Sequence, residues 1–161
     1  MDSERYLTHS EKETIDLGRK FAERLHRGDC VTLFGDLGAG KTEFAKGICE
    51  HFRVSDIVSS PTYTIMNQYD GELPDGQPLQ IYHIDLYRIK TSEELENVGF
   101  DDCMYAHNSI KLVEWAERAE QGLPSSRYAV NLRASADDDS ERVVEITAIG
   151  MPEHTHLPLE S

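Results

Sequence analysis

At 161 residues the chain has room for one domain with a real core, and not for a nucleotide domain joined to a large second one. Its 16 Lys and Arg stand against 30 Asp and Glu, a net charge of −14, so its average field repels phosphate backbones and argues against unaided nucleic-acid binding. No basic-then-apolar leader opens it, no apolar run approaches the roughly 20 residues of a membrane helix, and Cys30, Cys49 and Cys103 lack C-x-x-C spacing, so a cytoplasmic protein with reduced thiols is expected.

In chain order, residues 10–27 open with Ser10 and Glu13 at capping-box spacing and carry Ile15, Gly18, Ala22 and Leu25 on one face up to Gly28, which predicts a helix. Residues 30–34, CVTLF, are a short β-type apolar run and read as a buried strand. The strand feeds FGDLGAGKTEF, residues 34–44, in which Gly35, Gly40, Lys41 and Thr42 fill the pattern G-x-x-x-x-G-K-[ST] of a phosphate-binding loop. After Thr42, the spacing of Phe44, Ala45, Ile48, Cys49 and Phe52 predicts a second helix. Residues 62–70 and 79–88 flank the turn string GELPDGQP and form a predicted hairpin. Thr91 and Glu94 cap a short helix that stops before Gly99, and residues 110–115, IKLVEW, are an apolar strand ending on a carboxylate. Residues 127–134 and 141–149, joined by the polar SADDDS, form an exposed hairpin, and 151–161 are a mobile tail beyond a single domain at 1–150.

A strand that turns sharply through glycines points successive backbone N–H groups at one concavity, and the following helix adds its positive end. Gly38 and Gly40 permit close approach, Lys41 supplies a mobile surface cation for the β- and γ-phosphates, and Thr42 offers a hydroxyl to Mg²⁺. Mg²⁺ also needs a carboxylate at a neighbouring strand end. Asp85, after IYHI, and Glu114, after IKLV, both qualify; the competing readings are a turn cap for Asp85 and an exposed strand-end charge for Glu114. In SSPTYT, residues 59–64, Ser60 and Thr62 read either as groups reaching the γ-phosphate or as an ordinary turn. Trp115 reads as a shield or as core, and His83 as packed rather than catalytic, since nothing nearby completes a triad for it. The fold expected is a three-layer α/β, P-loop NTPase-like domain whose mixed sheet is parallel near the loop and antiparallel at the edges, with a C-terminal β-hairpin.

The strings GDLGAGKT, SPTYT, HIDLYR and VEWAE, in this order, resemble the bacterial TsaE family of small ATPases, over about residues 11–142. The resemblance implies a Mg²⁺-dependent ATPase that works with two partners, TsaB and TsaD, in threonylcarbamoyladenosine modification of tRNA beside the anticodon. Mapped by motif, Lys41, Asp85, Glu114 and Thr62 are its catalytic candidates. Glu11, Asp36, Gly38, Ala39, Gly40, Lys41, Thr42 and Glu43 bind the nucleotide, and Thr42, Asp85 and Glu114 serve the metal. ATP rather than GTP is expected, because no N-K-x-D string for guanine occurs. Slow turnover by the lone protein is expected too, since the sequence offers no obvious second cation besides Arg88 and Arg142. A small-molecule kinase uses the same loop but normally adds an Arg-rich lid; a nucleotide-gated module that holds Mg²⁺ without hydrolysis is a third reading. tRNA itself falls to the partners, in keeping with the acidic surface.

Overall fold

The computed structural model describes residues 3–36, 38–56, 58, 66–87, 89–97, 99–104, 106–116 and 122–150. The predicted 10–27 helix divides in two. Helix α1 runs Glu11–Phe21, Ala22–Arg24 tighten into one 3-10 turn, and Leu25 is already extended. Ser10 Oγ accepts the N–H of Glu13 as predicted, but the Glu13 carboxylate takes the N–H of His9 rather than that of Ser10, so the cap reaches one residue further back.

Strand β2 (Cys30–Phe34) and helix α2 (Lys41–His51) bracket the glycine loop. The hairpin of β3 (Met66–Glu72) and β4 (Pro78–Asp85) follows, then short helices α3 (Ser92–Asn97) and α4 (Phe100–Met104), strand β5 (Ser109–Glu114) and the hairpin of β6 (Arg127–Ala134) and β7 (Arg142–Ile149). Residues 62–65, Arg88 and the tail at 151–161 lie outside the described residues. Sequence patterning missed β1 (Ser3–Thr8) and α4.

The seven strands form one sheet in the order β1-β7-β6-β2-β5-β4-β3. β6, β2, β5 and β4 are mutually parallel, and β7, β1 and β3 add antiparallel at the flanks, as expected. The C-terminal hairpin is exposed at its turn and on one face of β6, at Asn131 and Arg133, but it is not a free-standing arm. β6 is hydrogen-bonded to β2 and β7 to β1, so both strands lie inside the sheet. Strand alternation splits the core into two faces. Val31, Leu33, Leu112 and Val130 pack under α1 and α2, whereas Cys30, Ile84 and Val113 pack against Phe100 and Met104 of α4.

One crossing sets where the loop sits. Gly18 of α1 and Gly47 of α2 face the opposing helix backbone, and a Cβ on Gly47 would lie 2.0 Å from the Ile15 carbonyl oxygen. Without side chains between them, the two helices come close enough to hold the N-terminus of α1 beside the N-terminus of α2. Edge strand β1 is clamped by Arg24, whose guanidinium donates two bonds of 2.6 and 2.7 Å to the Glu4 carboxylate, a fork-to-fork pair largely shielded from solvent.

Candidate nucleotide site

The loop lies at the carboxyl end of β2, where ligands of parallel α/β sheets collect. Gly38 at φ +81° and Gly40 at φ +106° occupy left-handed backbone that L side chains rarely adopt. Gly40 is also the N-cap of α2 and brings no side chain to bond the helix's first N–H groups, which leaves that end of the helix to a ligand.

Lys41, Thr42, Glu43, Asp85, Glu114 and Trp115 line one cavity of about 190 Å³ with Gly38 and Gly40. The parallel register sets Asp85 of β4 directly beside Glu114 of β5, so the two strand-end carboxylates predicted independently stand together. Glu114 is 2% exposed, which removes the reading of an exposed strand-end charge. Asp85 is half-buried and its Oδ1 accepts the Tyr87 N–H at 2.9 Å, so it is a turn cap and a cavity group at once. Burial, opposed by that bond and reinforced by the neighbouring Glu114 charge, pushes the Asp85 carboxyl above its usual range.

Lys41 departs from expectation. It is 5% exposed rather than a surface cation: its Nζ donates to the Gly35 carbonyl at 2.6 Å and stands 3.8 Å over the Trp115 ring. The sequence treated a lysine in a glycine turn as solvated, and only the fold brings Trp115 over it. Trp115 holds this position at φ +58°, a left-handed conformation that costs a non-glycine residue about 1 kcal/mol or more and that is tolerated mostly at functional sites. Trp115 is half-buried against the second core as well as over Lys41, so the core reading holds beside that of a shield.

His83 is packed, as predicted, but it is not a bystander. Its Nε2 lies 2.5 Å from Glu114 Oε2 and its Nδ1 3.3 Å from the Tyr69 hydroxyl, all within the protein interior. Its partner is 31 residues away on the next strand, out of reach of any local pattern.

On the other side of the loop a cavity of about 320 Å³ is lined by Glu11, Thr14, Gly38, Glu43, Ser140 and Arg142. Glu11 is thus brought to the loop through the α1–α2 crossing. Arg142, one of two candidate cations in the sequence, donates to the Gly38 carbonyl at 3.2 Å across 104 residues. Asp36 and Ala39 open instead onto a third cavity, of about 700 Å³, which runs along Asn131, Arg133, Asp139 and Arg142. Gly38 borders all three. Thr62 and Ser60 lie outside the described residues.

Among the described residues no three His, Cys, Asp or Glu side chains converge as an all-protein metal cage. A hydroxyl, a carboxylate and a second carboxylate beside a phosphate cradle nonetheless fit Mg²⁺, a hard cation usually held by one or two carboxylates together with substrate phosphates and water. No described helix is long and apolar enough to cross a membrane.

Comparison with known proteins gives the family of the chain. Residues 8–144 match the family model described as Threonylcarbamoyl adenosine biosynthesis protein TsaE. The tRNA threonylcarbamoyladenosine biosynthesis protein TsaE of Bacillus subtilis is 39% identical over 147 residues, 91% of this chain and 86% of that protein. Its counterpart in Treponema pallidum is 32% identical over 140 residues, 87% of this chain and 98% of the relative. The crystal structure of Bacillus subtilus YdiB superposes with a TM-score of 0.74 at 34% identity, covering 92% of this chain and 87% of that one. With the family model spanning most of its length and relatives above 30% identity matched nearly end to end, the chain belongs to the TsaE family of threonylcarbamoyladenosine biosynthesis.

Proposed function

We propose that the protein binds ATP with Mg²⁺ and hydrolyses it as the nucleotide-driven member of a tRNA-modifying assembly with TsaB and TsaD. The observation that carries this reading is the single cavity in which Lys41, Thr42, Asp85 and Glu114 converge at the carboxyl ends of parallel strands. The terminal phosphates would lie there, between the first turn of α2 and the two carboxylates, with the nucleoside directed across the loop toward Glu11 and Glu43. Mg²⁺, when bound, neutralises phosphate charge and orients the transferring group.

The chain's own contribution is positional. Lys41 exchanges its Gly35 carbonyl partner for phosphate oxygens, trading one charge-assisted bond, worth about 1.5–3 kcal/mol, for others of the same kind. Trp115 and Tyr87, whose rings lie 4.9 Å apart, roof the cavity and limit water. Arg142 is a second cation at the loop, but it approaches from the side opposite Glu114, which leaves the outer face of the γ-phosphate for a partner to complete. Slow hydrolysis by the lone chain and acceleration by the partners follow. The charge of −14 favours tRNA contact mainly through those partners.

The test is ATP turnover by the protein alone, with the partner pair, and with tRNA added, run beside Glu114→Gln. Acceleration by the partners that Glu114→Gln abolishes is the expected result. Equal turnover alone and in the mixture refutes the coupling, and phosphoryl transfer to a small acceptor in place of hydrolysis favours a kinase.

A further inference from the structure

A line of hydrogen bonds crosses the interior from the sheet edge to the candidate metal carboxylate. Asn67 Nδ2 donates to the Tyr69 oxygen at 3.4 Å, both on β3. The same hydroxyl lies 3.3 Å from His83 Nδ1. A carboxylate only accepts, so the 2.5 Å contact of His83 Nε2 with Glu114 Oε2 places a proton on Nε2, and Nδ1 of the neutral ring is then the acceptor for the Tyr69 hydroxyl. His83 is fully buried and Glu114 nearly so. His83 and Asp85 share a face of β4, and Glu114 pairs with Asp85 across the parallel register, so the imidazole reaches the carboxylate diagonally.

We infer that His83 is a positioning residue: the Tyr69-oriented imidazole fixes the carboxylate of Glu114 so that it faces the loop cavity in the orientation a phosphate-bound divalent cation requires. The inference rests on the reading of Glu114 as a metal-site carboxylate. A glutamate side chain at a strand end has three rotatable bonds, and burial alone selects none of its rotamers. A buried carboxylate also needs donors to offset its lost hydration. The His83 N–H is one such donor, and it holds one named oxygen, as supporting groups around metal ligands generally do. Neither Tyr69 nor His83 lines the cavity, so both act through Glu114 rather than on the nucleotide.

The measurement is calorimetric binding of the non-hydrolysable analogue β,γ-imido-ATP to the full chain, with Mg²⁺ titrated and with EDTA, checked against thermal melting. His83→Gln places an amide N–H near the Nε2 position and is expected to keep wild-type Mg²⁺ dependence. His83→Asn ends near Nδ1, too short to reach Glu114, and His83→Leu has no donor. Both are expected to raise the Mg²⁺ needed for half-saturation about 10- to 100-fold, while analogue affinity in EDTA is unchanged. Tyr69→Phe, which releases the tautomer without removing the donor, should fall between. Wild-type Mg²⁺ dependence in His83→Asn, or equal impairment of Gln and Asn, overturns the inference, and because neither Asn nor Gln is apolar the pair remains informative if His83→Leu does not fold. Glu114→Gln separates the two levels: if it too retains wild-type Mg²⁺ dependence, the metal reading of Glu114 itself is wrong, whereas its loss beside an unaffected His83→Asn removes only the positioning role.

Discussion

Gly47→Ala tests the helix crossing on which the site is built. The added Cβ would lie 2.0 Å from the Ile15 carbonyl oxygen and 2.7 Å from the Arg19 nitrogen, where ordinary contact begins at 3.4 Å. Both obstacles are backbone of α1, so no rotamer change relieves them and the helices must part by more than an ångström. Overpacking of a core costs about 1–3 kcal/mol, and backbone against backbone belongs at the upper end. Alanine returns about 1 kcal/mol of helix propensity over glycine, leaving a net loss of about 2 kcal/mol. For a chain of this size that lowers the melting temperature by about 4–8 °C. Thermal and urea unfolding followed by circular dichroism measure it, and nucleotide titration reports the second effect, weaker binding as Glu11 on α1 moves away from the loop at the head of α2. Gly18→Ala meets the Phe44 carbonyl oxygen at 2.3 Å in the same crossing. The double variant should therefore cost less than the two singles together, because one separation relieves both. A Gly47→Ala protein that melts at or above wild type would refute the argument, since propensity alone would then be acting.

Lys41→Met keeps an unbranched stem under Trp115 and removes the charge with its bond to the Gly35 carbonyl; ATP affinity or turnover should be largely lost and the melting temperature lowered by several degrees without loss of the fold, and calorimetry showing wild-type affinity together with unchanged turnover rules out the assigned role. Arg142→Ala removes a guanidinium that donates to the Gly38 carbonyl and lines two cavities; nucleotide binding should weaken about 10- to 100-fold, the equivalent of one charge-assisted bond, and unchanged affinity places the nucleotide elsewhere. Burial pushes the thiols of Cys30 and Cys49 up to about 12, so at pH 8 only about one in ten thousand of either is thiolate; alkylation followed by mass spectrometry should spare both in the native protein and modify them after unfolding.

What the sequence by itself determined is the chemistry that local backbone can build. The proposed phosphate cradle is a unit of contiguous backbone, so its strand, its glycines and the helix after it are all written within residues 30–52. The position of Asp85 and Glu114 at strand ends was legible as well, because each ends an apolar run. The parallel centre and antiparallel flanks followed from the same runs and turns. Strand β1 was not legible: six residues with alternating exposure carry little signal, and their stability comes from pairing with β7 at the far end of the chain and from the Arg24–Glu4 clamp. The five-residue α4 lacks the length for a periodic pattern, and it is fixed by Phe100 and Met104 entering the second core. Only the tertiary structure decided that Lys41 is buried under Trp115, that His83 holds Glu114, and that Arg142 returns to the loop. Each of these joins residues brought together by strand register or hairpin return, and a contact of that kind depends on sheet order, which no local stretch of sequence encodes.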